Sequence, residues 1–270
     1  MRIVDALPAP VAQPEAGFWA SGIASLDKAL AGGLGYGQVH EIYAAEPDDA
    51  SSAAGFVTGL AVGMCMGRGR AKEKARQPLL WLREQRLVQS AGILQAGGWA
   101  ELGGAPGHGL VGLVPDTLSL LRAAAEALHC GKLGAVILEG WGAMRALDLT
   151  ASRRLVLAAE KSGVPLLLLR VDARPVPSAA RTRWQVASAP SRALPGNAPG
   201  LPTFDLTLLR QRSGPCGLDW RLEWDRDQRQ FREAPLSGAV VSVPVDRPLA
   251  DRADAAEQER VAGAGRYRAA

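Results

Sequence analysis

The chain has 270 residues, 47% of them hydrophobic, a formal net charge of +4 and three cysteines. That length and apolar content support one large domain, or one domain with an appendage, and the mild, mixed charge permits nucleic-acid contact without demanding it. Cys65, Cys130 and Cys216 fit no metal-ligand spacing, no run reaches the roughly 18 apolar residues of a membrane span, and the N-terminus lacks a signal-type apolar core, so the composition predicts a cytoplasmic protein with free thiols, no metal and no membrane contact.

In chain order, residues 1–20 carry Pro8, Pro10 and Pro14 and read as an extended arm that ends on the apolar pair Phe18 and Trp19. Ile23, Leu26 and Leu30 share a helical face, and the glycines at 32, 33, 35 and 37 end that helix. A strand is expected over 38–43 and a buried helix over 51–66, followed by the polar loop "GRGRAKEKARQP". "LLWLRE" (79–84) reads as a buried strand, 86–97 as a helix and "HGLVGLVP" as a short strand. Asp116 can cap the next helix, which Gly131 can end. "LGAVILEG" and "VPLLLLRVD" are apolar strands on either side of the helix "TASRRLVLAAEKSG". Continuous apolar strands that alternate with helices imply parallel βαβ units covered on both faces. Residues 173–202 read as loop. Two antiparallel stretches follow, with Phe204, Leu206 and Leu208 on one face and Trp220, Leu222 and Trp224 on another. From Pro235 on, Ala, Pro, Arg, Asp and Gly predominate and a largely disordered tail is expected. The predicted organisation is an arm (1–20), an α/β domain (21–234) and a tail (235–270).

The stretch "HEIYAAEPDDASSAAGF" has the order of a nucleotide-binding site, strand, turn and small-residue helix, without a phosphate-binding lysine. Asp48, Asp49 and Ser51 can cap the helix and complement its dipole, by about 0.3–1 kcal/mol each. His40, His108 and His129 have no ligand spacing, and no serine sits in a GxSxG context.

The entry segment "SGIASLDKALAGGLGYGQVHEIY", with "LGAVILEG" further on, resembles the RecA recombinase core. With the degraded phosphate loop and the terminal "LLRQRSGPCGLDWRLEWD", the pattern is similar to the ImuA family, RecA-like accessory proteins of bacterial inducible mutagenesis. The implied fold is a RecA-like, mostly parallel twisted sheet with helices on both faces and antiparallel C-terminal strands. Against a working loop, GxxxxGK[ST], the resemblance puts Ala44 at the first Gly, Asp49 at the second, Ala50 at the Lys and Ser51 at the hydroxyl. Asp48 and Asp49 then stand where a polyphosphate would lie, and like charges about 4 Å apart repel by about 4 kcal/mol at an effective dielectric of 20. Glu84 takes the place of the water-activating glutamate and Glu139 that of the Walker B acid. The degenerate site comprises Ala44, Glu46, Asp48, Asp49, Ala50, Ser51, Ser52, Glu84 and Glu139, and no catalysis and no cofactor are expected of it.

Arg68, Arg70, Lys72, Lys74 and Arg76 form a basic loop suited to a solvated surface or to phosphate contact along single-stranded DNA. RecA-type proteins place a DNA-binding loop after the strand that follows Walker B. Here that location holds Arg174, Arg181, Arg183 and Arg192, with Trp184 available for stacking. Trp220 and Trp224 suit the core or a partner-binding ridge. The resemblance implies a non-catalytic adaptor for damage-induced (SOS) mutagenesis and translesion synthesis. Its expected direct partner is ImuB, through the C-terminal region, with an error-prone DnaE-type polymerase reached through ImuB. Contact with RecA and with single-stranded or primer-template DNA, and nucleoid association on induction, are further expectations. Two other readings stay open, a SulA-type cell-division inhibitor and a residual DNA-dependent ATPase or recombinase.

Overall fold

The computed structural model describes residues 17–67, 77–105 and 107–234. Most of the N-terminal arm, the basic loop from Arg68 to Arg76 and the tail beyond Ala234 lie outside them. Short strands β1 (Phe18–Trp19) and β2 (Leu34–Gly35) pair antiparallel around helix α1 (Ala24–Ala29). The main chain then runs through β3 (Val39–Ala44), α2 (Ala50–Gly67), β4 (Leu79–Glu84), α3 (Leu87–Ala91), α4 (Ala96–Glu101), β5 (Gly109–Val114), α5 (Thr117–His129), β6 (Ala135–Trp141), α6 (Leu149–Ser162) and β7 (Leu166–Val171). It ends with β8 (Thr182–Ser188), β9 (Thr203–Gln211), β10 (Leu218–Asp225) and β11 (Gln230–Glu233). These form a nine-stranded sheet in the order β11-β10-β9-β8-β3-β7-β6-β4-β5, parallel from β8 to β5 and antiparallel from β8 to β11.

Helices α5 and α6 cover one face of this sheet and keep the predicted Asp116 cap and terminal Gly163, while α5 ends at His129 on a Cys130 cap without a left-handed Gly131. The carboxylate of Asp116 accepts from the Ser119 amide (2.8 Å) and that of Asp148 from the Ala151 amide (2.7 Å), each satisfying a helix-start donor. Gly163, left-handed at φ 72°, ends α6. Each helix buries one apolar stripe, through Leu120, Ala124 and Leu128 on α5 and Leu155 and Ala159 on α6.

Helix α2, on the other face, is buried all round. Phe56, Val57, Leu60, Ala61 and Met64 point to different sides of it and are all buried. Gly55, Gly59 and Gly63 make a bare stripe along it, which aromatic rings fill. A Cβ at Gly55 would lie 3.7 Å from Phe204, one at Gly59 would lie 3.1 Å from both Phe231 and Trp224, and one at Gly63 only 2.6 Å from the Trp19 ring. The sheet curls toward this helix, and the indole of Trp224 on β10 donates to the Leu102 carbonyl beyond α4 (3.0 Å).

Two expectations need correction. The helix over 86–97 is two short helices, because Gly92 takes φ 71° and breaks it. The supposed loop over 173–202 contains β8, a strand inside the sheet and next to β3. Its first residue, Thr182, belongs to a buried polar chain. Trp184 Nε1–H donates to Thr182 Oγ1 (2.9 Å), which meets His40 Nδ1 (2.8 Å), while His40 Nε2 meets the Gly35 carbonyl (3.1 Å). A carbonyl can only accept, so Nε2 carries the proton and Nδ1 accepts from the threonine.

Full burial holds the His40 pKa down at about 4 against 6.5. The depressed value means the unfolded chain takes up the proton first as pH falls. The native state is expected to lose about 3 kcal/mol between pH 6.5 and pH 4, with no further His40 contribution below that. Urea denaturation across this range, compared with His40→Gln, checks it: the variant should lack that part of the slope. Gly63→Ala should lower stability by about 1–3 kcal/mol at neutral pH, because the new methyl must displace the Trp19 ring.

Candidate functional site

The site in question lies where β3 hands over to α2. Ala44 ends the strand, Ala45 and Glu46 follow, and a single 3-10 turn, Pro47–Asp49, leads straight into the helix at Ala50. No residue from 44 to 50 has positive φ, so the turn lacks the left-handed positions at which glycines shape a phosphate cradle. Four of its amides bond within the protein. Ala45 N–H donates to the Val186 carbonyl (2.8 Å), Glu46 N–H to Asp49 Oδ2 (3.2 Å) and Asp49 N–H to the Glu46 carbonyl (3.0 Å). The Ala50 amide bonds the Pro47 carbonyl, and Pro47 has no N–H.

Asp49 organises this turn. Besides the Glu46 amide, its carboxylate accepts from both the amide and the hydroxyl of Ser188 at the end of β8, each at 2.8 Å. The protein thus carries its own anion at the head of α2, tied to the neighbouring strand. Asp48 and Ser51 are exposed, Ser52 is half-buried, and Ala50 supplies no cation.

The two glutamates at the strand ends are equally engaged. Glu84, 3% exposed, accepts from the Thr117 hydroxyl (2.6 Å) and pairs with Arg86. Glu139, 5% exposed, accepts from the indoles of Trp81 and Trp141, both at 2.8 Å, and meets the Arg83 guanidinium at 3.3 Å. Arg83 also donates to the carbonyls of Gly92 (3.1 Å) and Leu87 (3.4 Å), which fixes the break between α3 and α4. Removing one partner of a buried pair of this kind costs about 3–5 kcal/mol. A cleft of about 780 Å³ opens beside this cluster, with Asp48, Ser51, Thr58, Trp81, Trp99 and Leu102 in its wall. That lining suits apolar groups rather than a polyphosphate.

The arginines expected in a DNA-binding loop are not brought together. Arg183 is buried on β8, and its Nε donates to Glu41 Oε2 on β3 at 2.7 Å, the register partner across the parallel pair. Arg183 also donates to Ser178 Oγ (3.1 Å), while Arg210 donates to the Ala180 carbonyl (2.8 Å), so the connection between β7 and β8 is clipped down. Tyr43 is flanked by the guanidinium groups of Arg170 at 5.8 Å and Arg183 at 5.6 Å. Burial raises the Tyr43 pKa and lowers that of Arg170. Trp184 is 2% exposed and cannot stack on an external base. Arg174 follows the end of β7 and is exposed, whereas the half-buried Arg181 lies just before β8, its amide on the carbonyl of Val39 at the start of β3 (2.8 Å).

Trp224 is fully buried and so is no partner ridge, and Trp220 is half-buried against Trp184 (6.0 Å), its indole on Ser25 (3.0 Å). Sequence reading missed Arg83 and Glu41. The available signal was a charged residue inside an otherwise apolar strand, in "LLWLRE" and "VHEIYA".

Restoring the two most obvious motif residues, as Asp49→Gly with Ala50→Lys, is expected to lower stability by about 1–3 kcal/mol and not to yield ATP binding. Denaturant melts and calorimetry with Mg²⁺ and ATP read both. ATP binding by the double variant would show that the turn can still open.

No family model matches the chain. Protein ImuA of Caulobacter vibrioides, in both strain NA1000 / CB15N and strain ATCC 19089 / CIP 103742 / CB 15, is 32% identical over 236 residues, covering 81% of this chain and 86% of that protein. Among solved structures, the RadB recombinase superposes with a TM-score of 0.52 at 13% identity, over 81% of this chain and 100% of its own, which speaks for the fold alone. With that identity and coverage, the chain belongs to the ImuA family, on a RecA-like fold.

Proposed function

We propose that this chain is a non-catalytic, RecA-like adaptor in damage-induced mutagenesis and translesion DNA synthesis. The observation that carries the reading is the closed turn at the head of α2 in a member of the ImuA family: the amides of Ala45, Glu46, Asp49 and Ala50 and the Asp49 carboxylate are engaged within the protein, and the turn holds no lysine. Glu84 and Glu139 support the same reading, since their oxygens already accept from protein donors, the Thr117 hydroxyl and the indoles of Trp81 and Trp141. Within this reading ImuB is the direct partner, and an error-prone DnaE-type polymerase is engaged through it. Contact with DNA falls to exposed arginines such as Arg174 and Arg192 and to the basic segment from Arg68 to Arg76, with modulation of RecA as a further role.

The test is the frequency of ultraviolet-induced mutation in a strain of the source organism lacking the chain, scored beside survival. Induced mutation should disappear while survival falls modestly. A re-introduced Glu84→Gln chain should restore mutagenesis, because the reading gives that carboxylate no chemical step. Intact induced mutagenesis in the deletion strain would end the reading. Failure of a well-folded Glu84→Gln chain to complement would end its non-catalytic part.

A further inference from the structure

Among the described residues, the two edges of the nine-stranded sheet are built differently. At one edge, β11 is four residues long, and its Arg232 is ion-paired with Glu223 and Asp225 on β10. A short, charged strand is a standard guard against pairing with another chain. At the other edge β5 reads Gly-Leu-Val-Gly-Leu-Val, six residues with no charge and no proline inside it. Val111 is 53%, Leu113 50% and Leu110 48% exposed, and Ile93 and Leu118 beside them are 62% and 50% exposed. Together these side chains expose on the order of 400 Å² of apolar surface, within the range that marks the largest patch of a monomer and often an interaction site.

The outer hydrogen-bonding groups of β5 can be identified. The carbonyls of His108 and Val114 accept from the amides of Leu79 and Gln85, so the even-numbered positions face β4. By the two-residue alternation of a strand, the N–H and C=O groups of Gly109, Val111 and Leu113 face outward. An antiparallel partner with two-fold symmetry must pair positions of like parity. The register that engages all the outward groups sets Val111 against Val111, Gly109 against Leu113 and Leu110 against Gly112. Each leucine then lies opposite a glycine, so the strand is complementary to itself in size as well as in hydrogen bonding.

We propose that β5 is a self-association edge, where a second copy of this chain adds its own β5 antiparallel about a two-fold axis at Val111. The sheets of two copies become continuous, with about six new backbone hydrogen bonds. Leu110 and Leu118 are covered on one face and Val111, Leu113 and Ile93 on the other. The area lies below that of stable specific interfaces, which fits a weak, reversible dimer rather than an obligate one. This inference is independent of the adaptor reading.

Sedimentation velocity of the full chain from low to high micromolar concentration should show monomer passing to dimer. Val111→Lys places like charges at the axis and should shift the midpoint at least tenfold upward, with the far-ultraviolet circular dichroism and melting temperature retained because the site is exposed. Register is read by cross-linking in a Cys130→Ser/Cys216→Ser background, which removes the exposed native thiols. Val111→Cys should give a disulfide-linked dimer under mild oxidation. Leu113→Cys should not, because the two copies of that position lie about 14 Å apart along the ladder. A chain that stays monomeric throughout, a dimer indifferent to Val111→Lys, or equal cross-linking of the two cysteine variants would each overturn the proposal.

Discussion

The burial of α2 on every side sets the terms for the rest of the molecule. A helix with apolar residues all round cannot rest on a flat sheet with one side in water, because half of its surface would stay wet. Here the sheet turns toward it. Strands β9 to β11 bring Phe204, Trp224 and Phe231, the N-terminal β1 brings Trp19, and the glycine stripe of α2 lets these rings approach to van der Waals contact. The antiparallel C-terminal strands are therefore needed to close the core around the helix. The same requirement explains the low tolerance expected at Gly59 and Gly63, where a Cβ would press on a ring, whereas one at Gly55 would meet Phe204 at ordinary contact distance.

A helix enclosed in this way needs a fixed entry point, and Asp49 supplies it. A phosphate loop normally leaves its amides open so that a ligand can complete it. In this protein a carboxylate from the turn itself fills that role and reaches across to Ser188, which joins the head of the central helix to the strand beside β3. The glutamates at the ends of β4 and β6 went the same way. Glu139 holds two indoles and a guanidinium, and through Arg83 it governs where the α3–α4 segment breaks. Acids that could face a ligand are here turned into struts, and each connects elements that sequence order alone would leave independent.

What could be read from the sequence follows from range. The buried parallel strands and the capped helices α5 and α6 were legible because an apolar run or a capping Asp carries its own signal within a few residues. Strand β8 was not. Its Arg183, the Arg181 just before it and its Pro-rich approach look like a solvated loop until Glu41, far away in the chain, is placed beside Arg183. The break at Gly92 was hidden for a related reason, since the helical spacing of Leu87 and Leu94 survives a glycine on paper, and the carbonyls freed there are taken by an arginine on β4. At the candidate site the loss of motif residues was visible, but the occupation of the amides was not, because that depends on Ser188 and Val186 in a strand read as loop.

Buried pairing also changes what the net charge means. Arg83, Arg170 and Arg183 are at most 9% exposed, and their charge is directed at Glu139, Glu41, the Tyr43 ring and backbone carbonyls. Such groups contribute little to the field that a polyanion would feel across solvent, where screening acts within about 10 Å. A mild formal excess of positive charge therefore gives no warrant for counting the buried Arg183 in a DNA track: with Arg210 on β9 it clips the β7–β8 connection, in which Arg174 stays exposed. In the ImuA-family adaptor reading, the described residues thus serve as a rigid platform, and attraction for nucleic acid rests on groups that the core has left unpaired.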